Sequence, residues 1–326
     1  MPLLEIDNLS VHFTLGHGRS RRVLKAVDGV CLTVDDGESV GLVGESGSGK
    51  TTLGRAVLRL TAPTGGRIRF RGEEVAGLTG RSLAAFRRQA QMVFQDPFDS
   101  LNPRMMIGEA IGEVLAIHGM RGRRERAART ADLLRLVGLP AVYADRYPHE
   151  FSGGQRQRIG LARALATGPS LIIADEPVSA LDVSVQVQIL NLMRRLQQEL
   201  GLAYLLIAHD LAVVRAMCRR VAVLYLGRVA EEGPATSLFA RPAHPYTEAL
   251  LSAVPDVEAD LDPDAGAGRR IVLKGDVPSA TDVPPGCPFH PRCHRAEPRC
   301  ARERPCLREV APGRRSACHL AEAVLG

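Results

Sequence analysis

Residues 44–51 have the spacing G-x-x-x-x-G-K-[ST], which is typical of a loop that binds phosphate groups. Glycines let such a backbone curl, so that successive N–H groups point inward at phosphate oxygens. Lys50 can reach the β- and γ-phosphates of a nucleotide, and Thr51 can offer its hydroxyl to Mg²⁺. A chance glycine-rich turn is the alternative. We disfavour it because a strand-like run precedes the loop and a helix-like run follows it.

Two adjacent carboxylates, Asp175 and Glu176, close a short apolar run that begins at Leu171. A continuous apolar run of this length is typical of a strand that is buried on both faces. Asp175 can hold Mg²⁺ through its waters, and Glu176 can orient or deprotonate an attacking water. The alternative is a solvated acid at the start of a helix, which Pro177 makes less favourable.

A second glycine turn, at residues 151–155, contains Ser152, Gly153 and Gly154 but no lysine. By itself it has the composition of an ordinary helix N-terminus capped by serine. The other interpretation is a second phosphate-binding turn, for which a single chain has no evident use. Two subunits paired head to tail would use it, because each would then cap the γ-phosphate held by the other. The position of the turn between the phosphate loop and Asp175 favours this second interpretation.

Most of the seven cysteines lie near the C-terminus, and this placement predicts a metal site, because cytosolic proteins rarely use structural disulfides. The spacing C-x5-C-x6-C-x17-C is not the common C-x2-C zinc pattern. Four thiolates suit either Zn²⁺ or a [4Fe–4S] cluster. Either metal would organise a region that is too polar to fold around its own core. The cysteines of this spacing are Cys287, Cys293, Cys300 and Cys318.

Other residues of the same region are weaker candidates as ligands. His290, His294 and His319 could replace a thiolate, although a structural hydrogen bond is the favoured role for each. Cys306 is expected to be a buried or free thiol.

Composition excludes some classes of protein. Of the 326 residues, 45% are hydrophobic and 24% charged, which predicts a globular chain with a core. A net charge of +6 with only 4% aromatic residues and no tryptophan is weak support for nucleic-acid binding. No apolar stretch approaches the ~20 residues of a membrane helix, and the start lacks a signal-peptide pattern. We therefore expect a soluble, cytosolic protein.

Strand-like and helix-like runs alternate along most of the chain, which predicts an α/β fold with a largely parallel sheet between helices. Apolar spacing over 107–137 predicts a helix that ends at Gly138. An acidic segment at 256–264 predicts a linker.

Taken in order, these motifs resemble those of the ATP-binding subunits of ATP-binding cassette (ABC) transporters. The resemblance identifies residues 44–51 as Walker A, residues 151–155 as the signature with Phe151 in place of the usual leucine, and residues 171–175 as Walker B. It implies catalytic roles for Glu176, the Q-loop residue Gln95 and the switch residue His209, and a D-loop role for Asp182. The nucleotide-binding residues that it implies are Phe13, Gly44, Glu45, Ser46, Gly47, Ser48, Gly49, Lys50, Thr51 and Thr52, with Ser152, Gly153, Gly154 and Gln155 acting in trans.

Phe13 lies where the family stacks an aromatic ring on adenine. A strand residue of the core is the alternative for Phe13, and the stretch 14–22 could supply the contact instead.

The chain is more closely similar to the oligopeptide, dipeptide and nickel importer branch, on residues 94–104, 182–191, 225–228, 244–250 and 286–293 together with the cysteines that follow. The sequence of residues 100–104 favours the second-listed, F-type ATPase subunit of these importers. The resemblance implies a P-loop ABC nucleotide-binding domain at 1–255 with an antiparallel β subdomain and a helical subdomain at about 97–165. A linker and Cys-rich extension would occupy 256–326.

The implied function is ATP hydrolysis that energises import of di- or oligopeptides across the cytoplasmic membrane. Nickel or another small solute is the alternative cargo. A non-transport ABC ATPase acting on nucleic acid is disfavoured because tandem cassettes and coiled-coil arms are absent from the sequence. A scaffold with a vestigial ATPase is disfavoured by Glu176 and His209.

The resemblance also implies cofactors and partners. ATP would bind with Mg²⁺, and Thr51, Gln95 and Asp175 would arrange the ion. The resemblance also favours a [4Fe–4S] cluster over Zn²⁺ at Cys287, Cys293, Cys300 and Cys318. Expected partners are two transmembrane permease subunits and a second ABC ATPase, either a sister chain or a second copy. An extracellular solute-binding protein would act indirectly, and no nucleic acid is expected. The protein would lie peripherally at the cytoplasmic face of the cell membrane.

Overall fold

The structure, a computed structural model, describes residues 1–16, 21–95, 101–253 and 271–325. The predicted acidic linker at 256–264 lies outside these described residues. The chain divides into two compact units. The helical unit consists of Met1–Leu4, Val34–Glu38 and Phe70–Ile207, and the phosphate-loop unit consists of Glu5–Thr33, Ser39–Arg69 and Ala208–Gly326.

Strands and helices alternate as the sequence predicts. The strands are β1 (Leu4–Leu15), β2 (Arg22–Val34), β3 (Ser39–Val43), β4 (Gly65–Phe70), β5 (Glu73–Glu74), β6 (Ala90–Val93), β7 (Leu171–Asp175), β8 (Ala203–Ala208), β9 (Arg220–Tyr225), β10 (Arg228–Pro234), β11 (Arg308–Ala311) and β12 (Arg314–Ser316). The α-helices are α1 (Lys50–Val57), α2 (Gly80–Gln89), α3 (Ile107–Ile117), α4 (Arg123–Leu136), α5 (Gly153–Leu165), α6 (Val183–Leu200), α7 (Leu211–Met217), α8 (Ala235–Ala240), α9 (Pro245–Ser252) and α10 (Ala321–Leu325). None of the helices described has the length and hydropathy that crossing a bilayer requires.

In the helical unit, β6, β7 and β8 pair in parallel, with Ala90 beside Leu171 and Leu171 beside Ala203. Every residue of β7 and β8 is buried, as the continuous apolar run from Leu171 predicts. The predicted parallel sheet is confirmed for these strands. Its consequence for function is that Asp175 is carried at the carboxyl end of a buried central strand.

The helical segment between β6 and β7 corrects one prediction. Instead of one helix over 107–137, the chain forms α3 and α4, which pack against each other. Gly119 has φ 100°, a left-handed conformation that glycine adopts without steric cost, so the first helix ends before it. Residues 118–126 contain a single apolar residue besides glycine, Met120, so apolar spacing carries no signal at the break. The predicted end at Gly138 is confirmed by its φ of 76°.

In the phosphate-loop unit, β3 and β9 pair in parallel, with Val40 beside Arg220. Three antiparallel pairings extend this sheet from β9 through β10 and β12 to β11. A second sheet contains β2, β1 and β4 in that order. The fully buried strand β3 leads directly into the phosphate loop, as predicted.

The residues that follow the predicted linker pack into the phosphate-loop unit through contacts that do not involve the cysteines. Strand β12 pairs with β10, and the carboxylate of Glu231, fully buried, accepts a hydrogen bond of 3.0 Å from Arg314 Nη2. The backbone N–H groups of Ala243 and His244 donate to the same carboxylate at 2.7 and 3.0 Å. Burial raises the pKa of Glu231, whereas these hydrogen bonds oppose that shift. An added strand and a buried ion pair therefore also organise this region.

Candidate functional site

The phosphate loop encloses the ammonium group of Lys50, and this residue is only 5% exposed to solvent. Its Nζ donates hydrogen bonds to the carbonyl oxygens of Gly44 and Glu45 at 2.7 and 2.9 Å. The hydroxyl oxygen of Ser48 lies 3.3 Å from the same Nζ. The loop therefore holds the Lys50 ammonium group among its own oxygens, and this positive charge can attract a phosphate group.

Gly49 joins the loop to α1 through a conformation that only glycine fits. Its φ is 103°, and a Cβ atom there would lie 2.0 Å from the carbonyl oxygen of Ala26. Because α1 starts at Lys50, Thr51 and Thr52 occupy its first turn, where the backbone N–H groups of a helix N-terminus and the helix dipole favour an anion. The local folding of 44–52 is thus what a phosphate-binding site requires.

The turn of the β9–β10 hairpin forms hydrogen bonds with the backbone of the phosphate loop. The N–H of Gly227 donates to the carbonyl oxygen of Ser48 at 2.9 Å, and the N–H of Asp28 donates to the carbonyl oxygen of Gly227 at 2.9 Å. Arg228 Nη2 lies 2.7 Å from Asp28 Oδ2. Burial alone would raise the pKa of Asp28, but the charge and hydrogen bonds of Arg228 lower it overall. Sequence reasoning does not reveal this support, because residues 225–228 carry no local signal of a contact with the distant phosphate loop.

In the helical unit, the end of β7 presents the two predicted carboxylates. Asp175 is 3% exposed, whereas Glu176 is half-buried and has φ 45°. A left-handed conformation is uncommon for a residue other than glycine and is concentrated at functional sites. The N–H of Glu176 donates to the carbonyl oxygen of Ile207 at 2.9 Å, so the sheet holds the strained backbone.

Gln95 and Glu176 are brought together across the helical unit. The Nε2 of Gln95 donates to Glu176 Oε2 at 2.9 Å, although the two residues are 81 positions apart. The hydrogen bond orients the carboxylate without neutralising it. This pairing is what a group that positions and activates water requires.

The second glycine turn begins α5. The hydroxyl oxygen of Ser152 accepts from the N–H of Gln155 at 3.4 Å, and Gln155 Oε1 accepts from the N–H of Ser152 at 3.0 Å. The two bonds form a capping box, so the helix-cap interpretation is correct for the chain by itself. A Cβ atom at Gly154 would lie 2.4 Å from Val185 Cγ1, which explains the glycine by close packing against α6. The action of this turn in trans stays a prediction.

The remaining predicted residues lie on both units. Phe13, on β1, is 39% exposed. The alternative that it is a core residue is therefore wrong. His209 is exposed directly after β8. Asp182 is exposed and precedes the first residue of α6. The phosphate-loop unit carries Phe13, residues 44–52 and His209, and the helical unit carries Gln95, Ser152–Gln155, Asp175, Glu176 and Asp182.

The four predicted cysteine ligands influence one another electrostatically. A charge on Cys287, Cys293 or Cys300 raises the pKa of Cys318, and Cys293 and Cys300 act in the same way on Cys287. Cys300 also raises the pKa of Cys293. Each thiol thus lies within electrostatic range of the other three, although the four are spread over 287–318. Cys306 is exposed, which supports the expectation of a free thiol.

Burial is the largest influence on three of these thiols. It raises the pKa of Cys287 and Cys318 to about 11, and it also raises that of Cys293. Backbone N–H groups oppose the shift, because Phe289, Arg295 and Leu320 each donate to the sulfur two residues earlier. Thiols in such surroundings are stable as thiolates only beside a positive centre.

The histidines of the region have the structural partners that we expected. His290 Nδ1 lies 2.9 Å from the carbonyl oxygen of Cys287, and His319 Nε2 lies 3.0 Å from that of Glu303. His294 Nε2 lies 3.3 Å from Glu248 Oε2. Within the part of the chain that the structure describes, no three His, Cys, Asp or Glu side chains are arranged so that they could hold a metal ion.

Comparison with known proteins places these features in a family. The model of the ABC transporter family matches residues 27–179. The model of the oligopeptide/dipeptide transporter C-terminal region matches residues 230–300. A putative peptide import ATP-binding protein of Brucella ovis is 54% identical over 317 residues, which are 97% of this chain and 97% of that protein. The oligopeptide transport ATP-binding protein AppF of Bacillus subtilis is 49% identical over 322 residues, 98% of this chain and 97% of that one.

Solved structures agree on the fold. The ATP-binding cassette MJ0796, in a dimeric post-hydrolysis state bound to ADP and Pi, has a TM-score of 0.63 at 29% identity, covering 71% of this chain and 98% of its own. The protein cbiO1 from Clostridium perfringens, part of the ABC transporter complex cbiONQ, has a TM-score of 0.64 at 26% identity, covering 73% of this chain and 91% of its own. The chain has the nucleotide-binding fold of these proteins. With half-identical relatives matched along nearly their whole length, it belongs to the ABC transporter family, within the group of oligopeptide and peptide transport ATP-binding proteins.

Proposed function

We propose that this chain is the ATP-hydrolysing subunit of an ABC importer that carries di- or oligopeptides across the cytoplasmic membrane. Its relatives over nearly the full length are named peptide import and oligopeptide transport ATP-binding proteins. The match at 230–300 to the oligopeptide/dipeptide transporter C-terminal region supports the same cargo. Nickel or another small solute of the same branch remains the alternative cargo.

Nucleotide binding is assigned to the phosphate-loop unit. Lys50 and the N–H groups of 44–49 bind the phosphates, and the Thr51 hydroxyl is a ligand of Mg²⁺. The exposed ring of Phe13 stacks on adenine, and His209 contacts the γ-phosphate. The geometry that supports this assignment is the loop's enclosure of one ammonium group.

Hydrolysis is assigned to Glu176 as the base that activates water. The observation that carries it is the strained Glu176 backbone together with the hydrogen bond from Gln95, which holds the carboxylate in one orientation. Asp175, buried at the end of β7, helps to hold Mg²⁺. Asp182 belongs to the loop that follows.

The active assembly contains two ATPase chains, this one and a sister chain or a second copy. Ser152, Gly153, Gly154 and Gln155 then face the nucleotide of the other chain, where a helix N-terminus stabilises a γ-phosphate. Two transmembrane permeases anchor the pair peripherally at the cytoplasmic face, and an extracellular solute-binding protein delivers the cargo. The division into 1–255, with a helical subdomain at about 97–165, and a Cys-rich 256–326 stays a prediction.

Peptide-dependent ATP hydrolysis in a reconstituted complex tests the function. The chain is co-expressed with the two permeases and the sister ATPase of its operon, placed in vesicles, and supplied with the cognate solute-binding protein. We expect short peptides to stimulate ATP turnover and to accumulate inside the vesicles. Stimulation by Ni²⁺ and not by peptides would reassign the cargo. Co-purification with a nucleic acid and without permeases would contradict transport.

Cys287, Cys293, Cys300 and Cys318 hold a [4Fe–4S] cluster in this proposal. The family resemblance supports a cluster over Zn²⁺. Backbone N–H groups aimed at three of the sulfurs would stabilise thiolates there. The described residues form no group of three donors arranged to hold a metal ion, so binding would have to draw the four thiols closer together. When bound, the cluster would cross-link the chain segments that carry the four cysteines.

Metal analysis of anaerobically purified protein tests the cluster. We expect about four irons per chain, against about one zinc for the alternative. Cys300→Ser is expected to lose the iron, whereas Cys306→Ser, the matched control at an exposed cysteine, is expected to keep it. Equal iron content in both variants would contradict the assignment of the ligands.

A further inference from the structure

One arginine from the C-terminal region contacts the phosphate loop directly. Arg292 Nη1 lies 2.6 Å from Glu45 Oε2, and Arg292 Nη2 lies 3.0 Å from Glu45 Oε1. The two parallel bonds make a bidentate pair between residues 247 positions apart. The side chain of Arg292 is 7% exposed and that of Glu45 is 26% exposed, so water screens this pair far less than a surface ion pair.

The fold fixes Arg292 in this place. It ends a short helical turn, His290–Arg292, that follows Phe289. Phe289 is 1% exposed, and its ring packs at 5.3 Å from those of both Tyr225 and Tyr246. An aromatic anchor of this size orders the adjacent guanidinium before any ligand binds.

Glu45 is held at its backbone as well. Its N–H donates to the hydroxyl oxygen of Tyr246 at 2.9 Å. Burial raises the pKa of Tyr246 well above its usual range, so the phenol stays neutral and keeps its hydroxyl. The carbonyl oxygen of Glu45 accepts a hydrogen bond from Lys50 Nζ at 2.9 Å. The C-terminal half of the chain thus holds one loop residue at two points, and that residue contacts the phosphate-binding lysine.

The charge of Glu45 makes this contact matter for binding. A carboxylate at the second position of a phosphate loop repels a nucleoside triphosphate if it turns toward the phosphates. The bidentate bond to Arg292 neutralises the carboxylate and holds its two oxygens.

We propose that Arg292 is a positioning residue of the phosphate loop, which sets the affinity for ATP by holding the Glu45 carboxylate away from the phosphates. This inference rests on the proposed ATP binding and extends it to the C-terminal region. Since coupling between sites is reciprocal, ATP binding must in turn stabilise the docking of residues 286–293.

Equilibrium binding of a fluorescent ATP analogue to the full-length chain tests the proposal. We expect Arg292→Met to raise the Kd about tenfold, within the usual range of coupling between sites. The matched control is Arg295→Met, because Arg295 pairs with Glu248 in a more exposed position and does not hold the loop. The control is expected to bind like the wild type. A Kd for Arg292→Met equal to that of the control would overturn the proposal.

A second substitution separates charge control from a merely structural role. We expect Glu45→Gln combined with Arg292→Met to bind nearly as tightly as Glu45→Gln alone, because no carboxylate then remains to repel the phosphates. A merely structural clamp predicts that the double variant stays as weak as Arg292→Met. The deficit of Arg292→Met should also shrink at about 1 M salt, where charge repulsion is screened. A deficit independent of salt would count against the proposal.

Folding and the assigned function are controlled separately. If Arg292→Met does not fold, Arg292→Lys keeps the positive charge without the bidentate geometry, and its Kd is expected to lie above that of the wild type. A wild-type Kd for Arg292→Lys, in a folded protein, would reject bidentate holding. Failure of the wild type itself to bind the analogue would instead reject ATP binding, which the Arg292 comparison cannot do.

Discussion

Replacing Glu176 by glutamine is expected to leave ATP binding near the wild-type level and to lower ATP turnover by a factor of about 10² or more. Glutamine has nearly the same shape and still offers an oxygen to Gln95 Nε2. It has lost only the ability to take a proton from water. Binding of a fluorescent nucleotide and phosphate release, measured on the same preparation, distinguish the two effects.

The matched control for this variant is Glu199→Gln. Glu199 is exposed near the end of α6, so its replacement is expected to change neither binding nor turnover. Phosphate release by Glu176→Gln at the wild-type rate would mean that another group activates the water.

Lys50→Ala is expected to weaken ATP binding by about 100-fold, because charge-assisted hydrogen bonds to phosphate are lost. The same change leaves the carbonyl oxygens of Gly44 and Glu45 without the donor that they share. The loop therefore loses both a ligand for phosphate and an internal support. Nucleotide binding and thermal unfolding, measured together, show how much of the effect is local.

Lys274→Ala is the control for the loss of a lysine charge, because Lys274 is exposed in the C-terminal region. It is expected to bind nucleotide like the wild type. Equal binding by Lys50→Ala and Lys274→Ala, with both proteins folded, would contradict the role of the loop.

Much of the fold could be predicted because its signals are local. The apolar run from Leu171, the cap at Ser152 and the start of α1 at the phosphate loop are each encoded by a few consecutive residues. The division between α3 and α4 was not predictable from periodicity, since the residues between the two apolar runs, 118–126, are almost all polar or glycine. There the conformation of one glycine, Gly119, overrides the pattern.

The candidate site divides in the same way. Residue types and spacing located Lys50, Asp175, Glu176 and the cysteines. They did not show that Gln95 donates to Glu176 or that Arg292 binds Glu45, since each pair joins distant segments. The strand β12 and the anchor Phe289 were also missed, although the sequence 286–293 had been noted as a mark of the family branch.

The sequence by itself determined that this protein has a phosphate loop, an acidic strand end and a group of cysteines near its C-terminal end. These features depend on the order of neighbouring residues, because backbone curvature, helix capping and strand burial are local properties. Only the tertiary structure decided which distant side chains meet. Spacing along the chain does not specify which partner satisfies a buried charge, and in the structure Glu45 of the phosphate loop does so for the buried Arg292.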